Sequence, residues 1–317
     1  MPISPDLEAP LLPGTANAAV RSMAILGSIA FDQLERSGNT AYRLGGVGTY
    51  AGLTAWKLGW TVSLLAHVPQ ADWVWLKALD QMGPHHWLPS AHRTVFVNRE
   101  LGEGGREQRL LSRSDALQPA SLRRWLEPAA PLAWIHLGPL FPGDFGPGLV
   151  QAARSLTRVL SADLQGWVRG IGPDHRVYPA WSPEHTVDLA ELDWVKGSEE
   201  EWDVVERHTG HSPESALTHY GWKGLLITAG ARGGRLILPG RELRWQAVLP
   251  RSVALETGAG DVFMAGFMIE ILALEHGPGQ RTLSRVQQAL DSAAELASRH
   301  ISGDWLDTDL LQWPFLP

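Results

Sequence analysis

The chain has 317 residues, with 27 Lys+Arg against 34 Asp+Glu for a formal charge of −7, and no cysteine. Hydrophobic residues at 44% and charged residues at 19% describe a globular chain, long enough for one large α/β domain or two smaller ones. The acidic balance argues against a protein built to grip nucleic acid or anionic lipid, and the lack of cysteine excludes disulfide frameworks, thiolate metal sites and cysteine nucleophiles. Tryptophan, at 15, outnumbers Phe (7) and Tyr (4) together; large core filler is favoured over stacking on sugars or bases.

Residues 1–20 carry Asp6 and Glu8 and are broken by four prolines, so they read as a loose tail rather than a signal peptide. No stretch approaches the roughly 18 apolar residues that a membrane span needs, and a cytoplasmic location is expected. Residues 23–30 (MAILGSIA) read as a buried strand, 32–44 as a weakly alternating polar segment, and 46–58 as a helix opened by glycine. Residues 61–68 form the next predicted strand. Residues 93–113 alternate at period two around a turn at 102–105, the pattern of a two-stranded ribbon with one wet face. Further strands are predicted at 133–137, 158–164, 192–195, 224–228, 235–238 and 244–248, and an Ala-rich helix at 284–300. Strands separated by helical stretches predict βαβ units and a mainly parallel sheet. The segments at about 32–45 and 91–113 would form a small β lid within one domain spanning 21–317.

Chemistry concentrates in residues 255–267, LETGAGDVFMAGF. Gly258 and Gly260 let backbone amides approach an anion, and the apolar run behind them is a helix whose orphan N–H groups and dipole complete an anion hole. Asp261 at its mouth is placed to take a proton from an incoming hydroxyl. An N-cap aspartate after a glycine turn would look the same.

Five segments together carry a resemblance. TGAGDVFMAGF resembles the C-terminal D-T-x-G-A-G-D signature of the pfkB, ribokinase-like, carbohydrate kinases. Gly27 to Asp32 resembles that family's first strand, and Gly45-Gly46-Val47-Gly48 its di-glycine signature. Thr228 to Gly233 is similar to its T-x-G-x-x-G nucleotide turn, and Val195 to Glu201 to its N-x-x-E metal segment. The similarity spans about residues 23–303 in order.

The resemblance implies a three-layer α/β/α sandwich with a lid, and transfer of phosphate from ATP, with Mg²⁺, to a small sugar or polyol. It implies that Asp261 is the general base and that Gly258, Ala259 and Gly260 hold the phosphoryl charge. Asp32, Gly45, Gly46, Tyr50 and Arg169 would meet the acceptor, Thr228, Gly230 and Gly233 the nucleotide, and Glu201 the metal. The ADLQGWVR stretch at 162–169 is closest to the inositol-kinase-like members. Three positions depart from the pattern. Ser198 replaces the Asn of N-x-x-E, Glu256 replaces the first Asp of the signature, and Tyr50 stands where ribokinase has an Asn. Ribose is therefore disfavoured as acceptor, and monovalent-cation activation is not expected. Polyol and nucleoside acceptors stay open, as do ADP and GTP as donors, and a monomer or a homodimer through the lid. The other readings are a catalytically weak sugar- or nucleotide-binding protein and a nicotinamide oxidoreductase. The last rests on Gly46-x-Gly48-x-x-Ala51 with Asp72 downstream, a fingerprint that lacks a buried strand before it.

Overall fold

A computed structural model describes residues 21–36, 38–101, 105–182, 185–276, 282–307 and 311–313. The tail expected over 1–20 and most of the turn at 102–105 lie outside them. In chain order, β1 (Ser22–Leu26) is followed by β2 (Ala30–Arg36), β3 (Asn39–Gly45), α1 (Val47–Lys57) and β4 (Thr61–Val68). A 3-10 helix, Gln70–Met82, precedes β5 (His85–Pro89), β6 (Thr94–Leu101) and β7 (Gly105–Ser112). Next come α2 (Pro119–Leu126), β8 (Leu132–Leu137), α3 (Leu149–Arg154), β9 (Thr157–Asp163), β10 (Arg169–Ile171), β11 (Val177–Pro179) and α4 (His185–Leu189). The chain ends with β12 (Trp194–Ser198), α5 (Glu199–Thr209), α6 (Pro213–Tyr220), β13 (Gly224–Thr228), β14 (Gly234–Leu238), β15 (Arg241–Trp245), α7 (Ala259–His276) and α8 (Leu283–Ile301).

Nine strands form the central sheet in the order β15-β14-β13-β12-β9-β8-β1-β4-β5. The seven from β13 to β5 run parallel, and β14 and β15 complete the other edge antiparallel. Because successive side chains on a strand point to opposite faces, Met23 and Ile25 enter one core with α1, α7 and α8, while Ala24 and Leu26 enter a second on the opposite face. That is the three-layer α/β/α sandwich. α7 is apolar nearly all round because it is a buried helix, covered by the amphipathic α8 through Val286, Ala289, Leu290 and Ala293.

A second sheet, β3-β2-β6-β7, stands apart as the lid. The hairpin β10–β11 extends it: Leu110 N–H donates to the His175 carbonyl at 2.9 Å, and Arg109 bridges to Arg176. Sequence reading missed this third piece, since three-residue strands carry too little alternation to register.

Other differences have physical causes. The strand predicted over 23–30 ends at Leu26. Gly27 has φ 154°, and a Cβ there would lie 2.3 Å from the Gly138 oxygen, so the chain leaves the sheet and re-forms as lid strand β2 at Ala30. The last strand is Arg241–Trp245 rather than 244–248, because Gly240 at φ 69° closes a tight turn that pairs Leu238 with Arg241. His85 and His86 lie on edge strand β5, where they stack on Trp87 and Trp125. Gly46 follows an antiparallel lid strand, and Asp72 is buried against Arg93 at 2.6 Å, so the dinucleotide fingerprint lacks its structural context. Trp134, Trp194, Trp202 and Trp222 are among the largest fully buried side chains. Among the described residues no helix is long and apolar enough to cross a membrane.

Candidate active site

Asp261 stands in the first turn of α7, behind a turn made by Gly258 at φ 86°, and the Val262 N–H donates to the Gly258 carbonyl at 2.9 Å. Of the amides assigned to an anion hole, that of Ala259 makes a long bond, 3.3 Å, to the Glu256 carbonyl. Tyr50 forms the floor of this turn: it is buried, and a Cβ on Gly258 would lie 2.2 Å from its ring. The ring meets His300 edge-on at 5.5 Å, and His300 Nε2–H donates to the Thr257 carbonyl at 2.9 Å.

Asp261 opens into a cavity of about 350 Å³ that also has Asp32, Gly46, Tyr50 and Arg169 in its wall. Gly258, Ala259 and Gly260 line it too, joined by Phe96, Gln108, Leu140, Gln165 and Glu256. No tryptophan lines it among the described residues, consistent with tryptophan as filler. On the lid, Asn98 donates from Nδ2 to Asp32 at 3.4 Å, and Gln108 donates from Nε2 to Asn98 Oδ1 at 2.7 Å. Gly45 is next to this strip, and a Cβ there would lie 2.1 Å from Asp32 Oδ2. Arg169 is fixed by donating from Nη1 to the Leu140 carbonyl at 2.9 Å and by lying over the Phe96 ring at 5.8 Å.

Behind the wall is a charge cluster that sequence reading only half found. Lys196 on β12 is in register with Asp163 on β9; both are buried, and they form an ion pair. A Cβ on Gly260 would come 3.2 Å from Lys196 Nζ, which sets the ammonium against the start of α7. Burial by itself would lower the Lys196 pKa, but Asp163, Asp261 and Glu201 hold it above the usual lysine value. Burial pushes the Asp261 carboxyl up to about 7, reinforced by Asp163 and Glu201 and opposed by Lys196 and Arg169. Burial likewise raises Glu201, with Asp163 adding to the rise. In Asp163 burial acts upward too, but Lys196 outweighs it and the pKa falls. One legible signal for Lys196 was a lysine inside an otherwise apolar strand, WVKGS. Its partner Asp163 was already in view within the ADLQGWVR stretch.

Glu201 completes a capping box: its N–H donates to Ser198 Oγ at 3.2 Å, and its Oε2 accepts from the Ser198 N–H at 2.8 Å. Serine caps a helix about as well as asparagine, so the departure at 198 preserves the local structure. Among the described residues no group of three or more His, Asp or Glu side chains is arranged to hold a metal. The acids that converge here already surround the Lys196 ammonium.

Thr228, Gly230 and Gly233 do not line the 350 Å³ cavity. They form the β13–β14 turn, where Gly230 (φ 56°) and Gly233 (φ 89°) adopt conformations that favour glycine, and Ala229 N–H donates to the Gly233 carbonyl at 2.8 Å. Beside the turn is a smaller cleft of about 190 Å³ walled by Glu199, Arg232, Arg235, Arg244 and Trp245, with Arg232 paired to Glu199.

A mainly parallel nine-stranded sheet, a separate β lid and a cavity at the head of α7 define the ribokinase-like class of fold. Within it, residues 177–303 match the model of the pfkB family carbohydrate kinases. The matched stretch carries the Thr228–Gly233 turn and the GAGD segment but not the di-glycine motif. The solved structures that it resembles include a pyrophosphate-dependent kinase in the ribokinase family, complexed with a pyrophosphate analog and myo-inositol. The two are 23% identical, with 88% of this chain and 94% of that one covered and a TM-score of 0.72. Ribokinase from Giardia lamblia is 14% identical over 92% of this chain and 96% of its own, with a TM-score of 0.70. A nucleoside kinase from Methanocaldococcus jannaschii is 15% identical over 92% and 95%, with a TM-score of 0.66. No curated protein sequence matches the chain.

Proposed function

We propose that the protein is a kinase that transfers a phosphoryl group from ATP to a hydroxyl of a small sugar or polyol. The observation that carries this reading is that Asp261, the α7 amides, Asp32 and Arg169 share one cavity. Asp32, steadied by Asn98 and Gln108, accepts from the acceptor's hydroxyls, and Gly45 and Gly46 keep backbone close without a side chain intruding. Asp261 takes the proton from the attacking hydroxyl. The acceptor oxygen bonds to the γ-phosphorus as the bond from that phosphorus to the bridging oxygen breaks, and ADP leaves with the bond's electrons. A pKa near 7 suits the base, because the proton moves with little mismatch at neutral pH. Charge on the transferring group is met by the amides of Gly258 and Gly260, fixed dipoles in a site that lid closure dries, with the Lys196 ammonium behind Gly260 adding positive charge from beyond the wall. One such donor is worth about 3 kcal/mol of barrier.

Mg²⁺ would supply charge neutralisation on the donor phosphates. Glu201 is the residue in this chain that would meet it, with one oxygen committed to its cap. Thr228, Gly230 and Gly233 are assigned to the nucleotide. The arginines of the neighbouring cleft fit phosphates equally well, so ADP, GTP and pyrophosphate belong in the donor panel.

A phosphoryl-transfer screen with sugars, polyols including myo-inositol, and nucleosides, read by ³¹P NMR, tests the proposal. A new phosphomonoester with a sugar or polyol that vanishes in Asp261→Asn is the expected result. Transfer only to nucleosides moves the acceptor class. Tight ATP binding with no transfer to any acceptor leaves a binding protein.

A further inference from the structure

Four backbone crossings join the sheet β3-β2-β6-β7 to the core, and three of them are linked by a chain of hydroxyls that ends on one buried carboxylate. Asp144 is in the loop 138–148 after β8 and is 1% exposed. Its Oδ1 accepts from Ser28 Oγ at 2.6 Å, and its Oδ2 from Leu140 N–H at 2.9 Å and Ser28 N–H at 3.4 Å. Ser28 is where the chain passes from β1 into the lid. Its hydroxyl is 3.2 Å from that of Ser114, where the chain leaves lid strand β7. The Ser114 hydroxyl is in turn 3.0 Å from that of Thr94, the first residue of lid strand β6, and Ser114 N–H donates to Thr94 Oγ1 at 3.1 Å. All four side chains are buried. The fourth crossing, at Gly46, packs beside the node: a Cβ there would lie 2.5 Å from the Ser28 carbonyl oxygen.

The node also reaches the cavity. Leu140, whose N–H Asp144 holds, lines it, and the Leu140 carbonyl holds the Arg169 guanidinium. A chain of contacts therefore runs from the lid hinge through Asp144 and Leu140 to Arg169. Hydroxyl-to-hydroxyl and hydroxyl-to-carboxylate bonds are directional, so rotation of the lid at any crossing must strain or break them.

We propose that Asp144 is a positioning residue, a hinge latch that fixes the lid's angle through Ser28, Ser114 and Thr94 and passes that angle to Arg169 through Leu140. The latch would matter for catalysis only if the kinase reading holds, so the primary test needs no substrate. Hydrogen–deuterium exchange on the ligand-free full chain compares wild type with Asp144→Asn, Ser28→Ala, Thr94→Val and Thr94→Ser. Removing the buried charge, or a bond to it, should speed exchange of the lid amides in β2, β6 and β7 about tenfold in the first two variants. Thr94→Val, which keeps the shape and loses the hydroxyl, should behave likewise, while Thr94→Ser keeps wild-type protection. Exchange in α7 and α8 should not change. Unchanged lid exchange in Ser28→Ala and Thr94→Val overturns the latch, and so does a parallel rise in α7, which marks general destabilisation. With any acceptor the screen identifies, the latch variants should raise its KM more than they lower kcat. A fall in kcat alone would also overturn the link to Arg169. Absence of any acceptor counts against the kinase reading and leaves the exchange result to decide the latch.

Discussion

Tyr50 fills the space that a side chain at Gly258 would need: a Cβ at 258 would lie 2.2 Å from the Tyr50 ring. The two residues belong to the motifs at opposite ends of the chain, one in α1 and one before α7, and the contact makes each motif the other's support. Gly258→Ala meets both the ring and a φ of 86°, so it should destabilise the protein by about 1–3 kcal/mol from overpacking, with backbone strain in addition. Chemical denaturation checks this. In the double variant Gly258→Ala, Tyr50→Leu the loss should be smaller than the sum of the single losses, because the same clash is removed. Additive losses would mean that the ring is not the obstacle.

Asp261→Asn keeps the side chain's shape and removes its basicity. The expected fall in kcat is about 10²- to 10⁴-fold, with donor affinity nearly unchanged, measured by steady-state turnover and calorimetric nucleotide titration. A variant that kept a tenth of the activity would rule out the base assignment.

The same carboxyl links activity and stability to pH in opposite directions. Activity needs the ionised base, so kcat/KM should rise as pH increases through about 7. Stability runs the other way. Burial has raised the folded-state pKa from 3.8, so the folded form prefers the protonated acid, and this contribution is complete below about 3.8 and is lost as pH climbs to about 7. Asp144, raised by burial to about 6, adds a loss over the window 3.8 to 6. Asp261→Asn should therefore be more stable than wild type at pH 8, with the gap closing toward pH 4. Urea titrations at the two pH values would reveal the narrowing gap, and a constant gap would contradict the buried-acid assignment.

Lys196→Met should cost about 3–5 kcal/mol, the usual effect of stripping the partner from a buried ion pair. It leaves Asp163 uncompensated among Asp261 and Glu201. Adding Asp163→Asn should recover part of the stability but none of the turnover. Equal stability of single and double variants would show that the pair is not what holds the cluster.

Much of the sheet was legible because its strands are short apolar runs at βαβ spacing: the strand predicted over 61–68 is β4, Thr61–Val68, and the one over 224–228 is β13, Gly224–Thr228. Less was legible where backbone contact rather than side-chain pattern ended an element, as at Gly27 against Gly138. Edge strand β5 went unseen because His85, His86 and Trp87 show no alternation. The GAGD segment was readable because only glycine tolerates its turn and an apolar helix follows at once. Lys196 was not recognised, since nothing local tells a lysine in a strand that its partner is on the neighbouring one.

The sequence by itself determined the class of fold and the glycine-bounded turns, because those follow from local residue type, spacing and order along the chain. It also favoured packing over ligand stacking for the fifteen tryptophans, and Trp134, Trp194, Trp202 and Trp222 are fully buried. The tertiary structure alone decided which charges meet. Asp163, Lys196, Glu201 and Asp261 come from four elements, β9, β12, α5 and α7, and their pKa values are shifted by burial and by each other. Desolvation and mutual electrostatics depend on distance in space, and distance in space is what a linear pattern of residues does not contain.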